Sequence, residues 1–204
     1  MIDIRDCRRV MVESFDDLAH FSCGDEDLDD FFANDAYLYD RQLLGKTYYF
    51  ATKDSGRIIG AFTVSNDSIK ASLISNTVRN KLQRSIPNAK RTRSYPAVLI
   101  GRIGVTCDLR GNNIGSQIVE YIKLWFVSHN NKSGCRYIVV DAYNSPKVLS
   151  FYEKNDFKYL YSTEEGEKAT FGLSDGEHLN SRMMYFDLIG YSAYVNERRL
   201  YQVK

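Results

Sequence analysis

The fold is decided by residues 97–126, which read AVLIGRIGV, TCDLRGNN and IGSQIVEYIKLWF in succession. The first nine residues are mostly apolar and include several β-branched side chains, which predicts a buried strand. In the last thirteen, isoleucine and phenylalanine recur every four residues from Ile114 to Phe126, which predicts a helix with one apolar face. The polar stretch between them is therefore predicted to leave a strand and open a helix.

Elements on both sides extend this pattern. Residues 137–140 read YIVV and predict a second buried strand, so that strand, helix and strand follow one another as in a parallel crossover unit. Ser145 and Pro146 suit the N-cap and first position of a helix that runs to about Lys154. The other predicted elements are strands at 10–12, 47–52, 58–64, 168–171 and 183–188, and helices over 25–44 and within 75–84. The short turn between 47–52 and 58–64 predicts an antiparallel hairpin, so the fold class is α+β.

Length and composition are those of a globular protein. The 204 residues predict a single domain over 1–190, with 191–204 as a C-terminal tail. The charged residues 1–9 do not resemble a signal peptide, and no apolar run reaches the length of a membrane span, so a cytoplasmic location without membrane association is predicted. The four cysteines show no CxxC spacing and the three histidines lie far apart, so no metal is expected.

Charge is unevenly distributed along the chain. Between Asp67 and Asp108 there is no acidic residue. The same interval contains Lys70, Arg79, Lys81, Arg84, Lys90, Arg91, Arg93 and Arg102. This basic interval, 70–102, indicates an anionic partner.

The central loop has the properties of an anion site. Backbone N–H groups at the start of a helix point toward one spot, and the helix dipole adds positive potential there. Gly111, Gly115 and Ser116 leave room for phosphates, and Arg110 adds charge. For the loop alone, a plain tight turn is the alternative. A P-loop is excluded because no Gly-Lys-Ser/Thr follows, and a dinucleotide-binding fold is disfavoured because GxGxxG is missing.

In its setting, the loop resembles the signature of the GNAT superfamily of acetyltransferases, Arg/Gln-x-x-Gly-x-Gly/Ala after a strand. Arg110, Gly115, the preceding strand, the spacing and the following helix match. Asn113 stands where the first glycine is usual, and asparagine tolerates a left-handed backbone better than most residues. A second family motif follows at Asn144 and Tyr152, with Asp156 in place of its usual glycine.

This resemblance implies the fold, the cofactor and the roles of the site residues. The implied fold is a mostly antiparallel sheet with helices on both faces and one parallel strand pair that splays at the acetyl-CoA site. The backbone of Ile103 and Val105 would pair with the pantetheine arm, Asn144 would hydrogen-bond to that arm, and Tyr152 would protonate the departing thiolate. The residues implied to hold the pyrophosphate are Arg110, Gly111, Asn112, Asn113, Ile114, Gly115 and Ser116.

Several of these roles keep alternatives. Tyr152 also suits a packing tyrosine, and Asn144 also suits a loop or capping residue. The general base is open among Asp141, Tyr143 and Glu13. The resemblance implies an N-acetyltransferase that moves an acetyl group directly from acetyl-CoA to a primary amine. The alternative is a non-catalytic CoA- or RNA-binding module with the same fold.

A finer resemblance concerns the acceptor of the acetyl group. Residues 21–36, with Phe21-Ser22-Cys23-Gly24 and Leu28-Asp29, are similar to a GNAT subgroup of toxins that acetylate aminoacyl-tRNA. The step from Pro96 to Arg102 is also similar to that subgroup. The basic interval would then contact tRNA phosphates. A small amine, a protein N-terminus and a lysine are the alternative acceptors. The resemblance also allows a homodimer and an antitoxin partner.

Overall fold

The structure is a computed structural model that describes residues 2–72, 74–84, 86, 93–128, 131–174 and 176–192. The chain falls into two compact units. The first unit comprises Met1–Asn66 and Leu99–Trp125, and the second comprises Asp67–Val98 and Phe126–Lys204. The single domain over 1–190 stays a prediction.

Seven strands and six α-helices are described. The strands are β1 (Cys7–Met11), β2 (Lys46–Thr52), β3 (Ile58–Lys70), β4 (Ser94–Val105), β5 (Tyr137–Tyr143), β6 (Lys158–Tyr159) and β7 (Ser181–Asp187). The helices are α1 (Glu26–Asp30), α2 (Ala36–Arg41), α3 (Asn76–Gln83), α4 (Ile114–Phe126), α5 (Pro146–Lys154) and α6 (Glu164–Phe171). A π-helical turn, Phe31–Asp35, joins α1 to α2, and short 3-10 turns lie at Ile4–Asp6, Phe15–Asp17 and Cys107–Leu109.

The sheet is mostly antiparallel. Hydrogen-bonded neighbours follow the order β1-β2-β3-β4-β5-β7-β6, and β4 with β5 is the parallel pair. In the first unit β1 pairs with β2 from Cys7 opposite Thr52 onward, and β2 pairs with β3 with an irregularity between Phe50 and Ala51. In the second unit β7 pairs with both β5 and β6. The predicted α+β class with one parallel pair is confirmed.

Helix α4 packs closely on the strands of the first unit. Ile114, Ile118 and Ile122 of its apolar face are fully buried, as their four-residue spacing predicts. A Cβ at Gly60 of β3 would lie 2.7 Å from Cδ1 of Ile118 and 3.0 Å from the carbonyl oxygen of Gly104. The absence of a side chain at Gly60 therefore allows the helix that follows the central loop to approach the sheet.

An aromatic cluster covers the other end of α4. The Arg9 guanidinium carbon lies 4.6 Å from the ring centroid of Trp125 and 5.2 Å from that of Tyr48. Arg9 also donates a hydrogen bond to the hydroxyl of Tyr121. These cation–π contacts fix the first strand to the helix within the first unit.

The second unit has its own core around β5. Tyr137, Ile138 and Val140 are buried, and the Tyr137 hydroxyl donates a 2.9 Å hydrogen bond to the carbonyl of Leu82 at the end of α3. On α6 the carboxylate of Glu167 is 1% exposed and accepts a 2.6 Å hydrogen bond from Nε of Arg182 on β7. This unit therefore contains a buried ion pair as well as an apolar core.

Some element predictions were wrong. Residues 168–171 were expected to form a strand, but they are the last half of α6, which Thr163 caps by accepting from the Gly166 amide. The acidic first turn and the left-handed cap at Gly172 are helix signals that outweigh the β-prone tail of this segment. The helix expected over 25–44 is interrupted by the π-helical turn and ends at Arg41.

Candidate functional site

The central loop has the backbone shape expected of an anion site. β4 ends at Val105, the 3-10 turn follows, and α4 begins at Ile114. Gly111 has φ +82° and Asn113 has φ +62°, so both occupy the left-handed region. A Cβ at Gly111 would meet no atom within 4 Å, which leaves the loop backbone open to a ligand. The amides of Ile114 and Gly115 lie in the first turn of α4, where the helix supplies no acceptor, so an anion can accept from them.

Both departures from the family signature keep the backbone conformation of a glycine. Asn113 replaces the first glycine of the loop motif, and Asp156, with φ +64°, replaces the glycine of the second motif. Asparagine and aspartate are the residues that enter the left-handed region most readily after glycine. Asn113 therefore keeps the turn of the loop motif, and Asp156 keeps that of the second motif.

Arg110 is placed differently from the expectation that it adds charge to the open face of the loop. Its guanidinium donates a hydrogen bond to the carbonyl oxygen of Cys23. Next to it, Asp108 forms an exposed ion pair with Arg57, and this hydrogen bond holds the pKa of the Asp108 carboxyl below its usual value. The loop is thus tied to two other segments of the first unit.

Ile103 and Val105 lie half-buried at the end of β4, and Gly104 is buried between them. A Cβ at Gly104 would lie 3.1 Å from a ring carbon of Phe32 and 3.2 Å from Cβ and Sγ of Cys23. Since side chains alternate along a strand, the N-terminal segment packs on one face of this strand end, while Ile103 and Val105 point to the other.

Asn144 and Tyr152 belong to the second unit. Nδ2 of Asn144 donates a 2.9 Å hydrogen bond to the carbonyl of Leu179, and its backbone amide donates to Asn180. The Asn144 side chain also hydrogen-bonds to Glu164, which lowers the pKa of that carboxyl. These contacts fix the loop between β5 and α5, which agrees with the alternative role of Asn144 as a loop residue. Its hydrogen bond to the pantetheine arm stays a prediction.

Tyr152 is 6% exposed on α5. Its ring packs edge-on against Phe151 and Phe157, with centroid distances of 5.1 and 5.3 Å. Burial raises the pKa of the Tyr152 hydroxyl. These contacts agree with the packing alternative for Tyr152, and its acid role stays a prediction.

One of the three candidate bases is distinguished by its electrostatics. Desolvation raises the pKa of the Asp141 carboxyl on β5, and the carboxylate of Asp67 raises it further. A carboxyl with a raised pKa is closer to the range that general bases use.

The basic interval lies partly on α3. A cleft of about 380 Å³ is lined by Thr77, Val78, Asn80, Lys81, Arg84, Leu160 and Ser162. None of these lining residues, all within the described part of the chain, is acidic. Nζ of Lys81 donates to the carbonyl of Tyr159 at 3.3 Å. Desolvation and the neighbouring Lys158 lower the pKa of Lys81. Lys90 and Arg91 lie outside the described residues.

The described residues include no cluster of histidine, cysteine or acidic side chains that could hold a metal ion, and none of their helices is long and apolar enough to cross a membrane. None of the four cysteines, all of which are described, forms a disulfide.

The fold is that of the GNAT acetyltransferases, and the resemblance stated from the sequence is confirmed at that level. No protein-family model matches the chain. A tRNA-acetylating toxin of Mycobacterium tuberculosis is 25% identical over 147 residues, which cover 72% of this chain and 81% of that protein.

Solved structures of similar fold cover nearly the whole chain. AtaT complexed with acetyl-methionyl-tRNAfMet superposes with a TM-score of 0.68 and 20% identity, over 93% of this chain and 99% of that one. A tyrosine-to-phenylalanine variant of KacT gives 0.66 and 18%, over 93% and 99%. A similar variant of AtaT, bound to the C-terminus of the antitoxin AtaR and acetyl-CoA, gives 0.65 and 17%, over 93% and 98%.

Proposed function

We propose that this chain is an acetyl-CoA-dependent N-acetyltransferase whose acceptor is the amino group of an aminoacyl-tRNA. The observation that carries the activity is the loop at 106–116, with its left-handed turn, open backbone and helix N-terminus. The 25% identical tRNA-acetylating toxin and the basic cleft on α3 support the acceptor.

Acetyl-CoA supplies an activated acetyl thioester, and the chain's part is to position it and to manage charge and protons. The loop amides from Gly111 to Ser116, apart from that of Asn112, which donates to the carbonyl of Leu109, would hold the pyrophosphate. The backbone of Ile103 and Val105 would extend the sheet with the pantetheine arm, and Asn144 would hydrogen-bond to that arm. The Val105 amide would then be available to the thioester carbonyl, where negative charge develops during transfer.

Tyr152 acts on the leaving thiolate. A tyrosine is protonated at neutral pH, and burial raises the pKa of the Tyr152 hydroxyl still further, so Tyr152 can donate a hydrogen bond as negative charge reaches the sulfur. Phe151 and Phe157 hold the ring in one orientation. The amine must also lose a proton, and Asp141 is the proposed acceptor because desolvation and the nearby Asp67 raise the pKa of its carboxyl, which makes it a stronger base than an ordinary aspartate.

The Tyr152→Phe variant tests this role. We expect kcat to fall about a hundredfold or more, the contribution typical of a positioned acid. The dissociation constant of acetyl-CoA should stay within about twofold, because the ring and its packing remain. Single-turnover transfer and isothermal titration measure the two quantities. Tyr39→Phe, a partly exposed tyrosine of α2, is the control. Equal losses of binding and turnover would remove the acid role from Tyr152.

The cleft on α3 is proposed to bind tRNA phosphates. Lys81 and Arg84 supply positive charge, and Thr77, Asn80 and Ser162 supply neutral polar groups around it. Lys81 lies near Lys158, and a phosphate would relieve the repulsion between the two ammonium groups.

Replacing both cations tests the cleft. The Lys81→Ala/Arg84→Ala variant should bind tRNA more weakly, and the slope of log K against log salt should become shallower by about 1.5 to 2. Filter binding at several salt concentrations measures the slope. Lys53→Ala/Lys132→Ala removes the same charge from two exposed positions and should leave the slope unchanged. An unchanged slope in the Lys81/Arg84 variant would exclude the cleft as a phosphate site.

The acceptor itself is tested by transfer from labelled acetyl-CoA. Charged tRNAs, the same tRNAs after deacylation, free amino acids, a polyamine and a lysine peptide are compared. We expect label only on charged tRNA. Label on a small amine or peptide would keep the acetyltransferase activity and reject the acceptor, and acetyl-CoA binding without any transfer would favour the non-catalytic module. A homodimer and an antitoxin partner stay predictions.

A further inference from the structure

An aspartate of α1 organises the segment that precedes it. One oxygen of the Asp29 carboxylate accepts from the Ser22 hydroxyl at 2.6 Å and the Gly24 amide at 3.2 Å, and the other accepts from the Cys23 amide at 2.6 Å. Three donors from three consecutive residues therefore converge on a single carboxylate. Such charge-assisted hydrogen bonds hold the backbone of 22–24 in one conformation.

That conformation turns two carbonyl groups toward the central loop. The carbonyl oxygen of Ser22 accepts from the amide of Cys107 at 3.3 Å, and that of Cys23 accepts from the guanidinium of Arg110. Both donors lie in the loop between β4 and α4. The loop is thus bound at two points by a segment that Asp29 shapes.

The contact is too close for a side chain at its centre. Gly24 has φ +72°, and a Cβ there would lie 2.9 Å from Sγ of Cys107 and 3.4 Å from Nη2 of Arg110. Cys23 also packs against β4 at Gly104, between Ile103 and Val105. The segment therefore supports both parts of the chain to which cofactor contacts are assigned.

We propose that Asp29 is a positioning residue for acetyl-CoA: through residues 22–24 it fixes the loop at 106–116 in the form that binds the pyrophosphate. The inference rests on the proposed function, since it assigns acetyl-CoA to this loop. Asp29 touches neither the cofactor nor the reacting atoms. Its effect arises because a loop held in its bound conformation loses less entropy on binding.

The charge state of Asp29 agrees with this role. Partial burial alone would raise the pKa of its carboxyl, but the hydrogen bonds from Ser22, Cys23 and Gly24 outweigh burial and hold the pKa below its usual value. The carboxylate is therefore ionised at neutral pH, and it accepts all three hydrogen bonds.

The test is the Asp29→Asn variant, whose amide cannot accept from every donor that the carboxylate serves. We expect the dissociation constant and KM of acetyl-CoA to rise about tenfold, the equivalent of one charge-assisted hydrogen bond. At saturating acetyl-CoA, kcat should change by less than about twofold, because the reacting groups are untouched. A residue with a merely structural role would lower the amount of active protein without this split between KM and kcat.

Asp27→Asn is the matched control, since it removes the same charge from the first turn of the same helix. Ser22→Ala deletes one of the three donors, and we expect it to raise the acetyl-CoA dissociation constant about two- to threefold. Ser22→Ala also decides the matter if Asp29→Asn fails to fold. In the folded variants, amide exchange at Cys107 should be faster than in the wild type.

The outcomes separate the two proposals. Wild-type affinity for acetyl-CoA in Asp29→Asn, or in Ser22→Ala where Asp29→Asn does not fold, overturns the role of Asp29 alone. An equal loss of affinity in Asp27→Asn also overturns it, because helix charge would then be the cause. A wild-type chain that does not bind acetyl-CoA overturns both proposals.

Discussion

At the scale of single residues, the candidate site depends on backbone conformation more than on residue identity. Asn113 and Asp156 stand where the GNAT signature has glycine, and both adopt φ values near +60°. Their short polar side chains can bond to the local backbone, which makes this region accessible to them. A pattern that accepts only glycine at these positions would miss the candidate site, whereas the backbone conformation keeps the turns of the signature.

Substitutions at Asn113 measure how much the turn depends on this tolerance. Asn113→Gly should bind acetyl-CoA at least as tightly as the wild type, because glycine enters the left-handed region without strain. Asn113→Val should lower the free energy of unfolding by about 1–2 kcal/mol and weaken acetyl-CoA binding. Denaturant unfolding and isothermal titration measure both effects. Asn66→Val, at an exposed strand position outside both the loop and the left-handed region, is the control, and an equal effect there would contradict the argument.

At the scale of elements, the sequence predicts what local patterns encode. The strand, loop and helix of 97–126 were predicted correctly because their apolar periodicity is strong and the turn residues lie between them. α6 was predicted wrongly because it has only eight residues and little apolar periodicity. Its buried partner, Arg182, lies fifteen positions away and cannot be read from neighbouring residues.

The ion pair of α6 with β7 gives a second prediction. Glu167 accepts from both Nε of Arg182 and the Met183 amide at 2.6 Å and is almost fully buried. Glu167→Ala leaves the Arg182 charge without this partner, so the free energy of unfolding should fall by about 3–5 kcal/mol. Urea unfolding measures the loss. The Glu167→Met/Arg182→Met variant should recover most of it, and a double variant as unstable as Glu167→Ala would reject the explanation.

The candidate site likewise combines a local sequence pattern with contacts between residues that are distant in sequence. The candidate cofactor loop could be predicted from the sequence because its residues are consecutive and resemble a known signature. The link from Asp29 to Arg110 could not, because it joins residues 81 positions apart through the backbone of Ser22–Gly24. The only sequence signal for it was the resemblance of residues 21–29 to the toxin subgroup, which carried no role for Asp29.

At the scale of the whole molecule, the raised pKa values of a tyrosine hydroxyl and a cysteine thiol predict a loss of stability in alkali. Burial raises the pKa of Tyr137 to about 12 and that of Cys135 to about 11. The unfolded chain releases these protons from about pH 8.5 for the thiol and pH 10 for the phenol. Above those values the folded state holds more protons than the unfolded state, so the free energy of unfolding falls as pH rises.

Urea unfolding between pH 7 and 11 measures this dependence. The free energy of unfolding should show no contribution from these two groups below about pH 8, and it should decline above it. Tyr137→Phe/Cys135→Ala should decline less steeply in alkali. It should be less stable at pH 7 by about 1 kcal/mol for the lost hydrogen bond to Leu82, with a further loss from the removed thiol. Equal alkaline slopes in both proteins would show that other groups are responsible.

Trp125, which the Arg9 guanidinium contacts, makes the first unit optically distinct. Trp125 is the single tryptophan of the chain, and it lies in that unit beside Tyr121 and Tyr48. Its emission therefore reports on the surroundings of α4, whereas far-ultraviolet circular dichroism averages over every helix and strand. Coincident melting curves from the two signals would identify a single cooperative domain, and separate midpoints would give each unit a stability of its own.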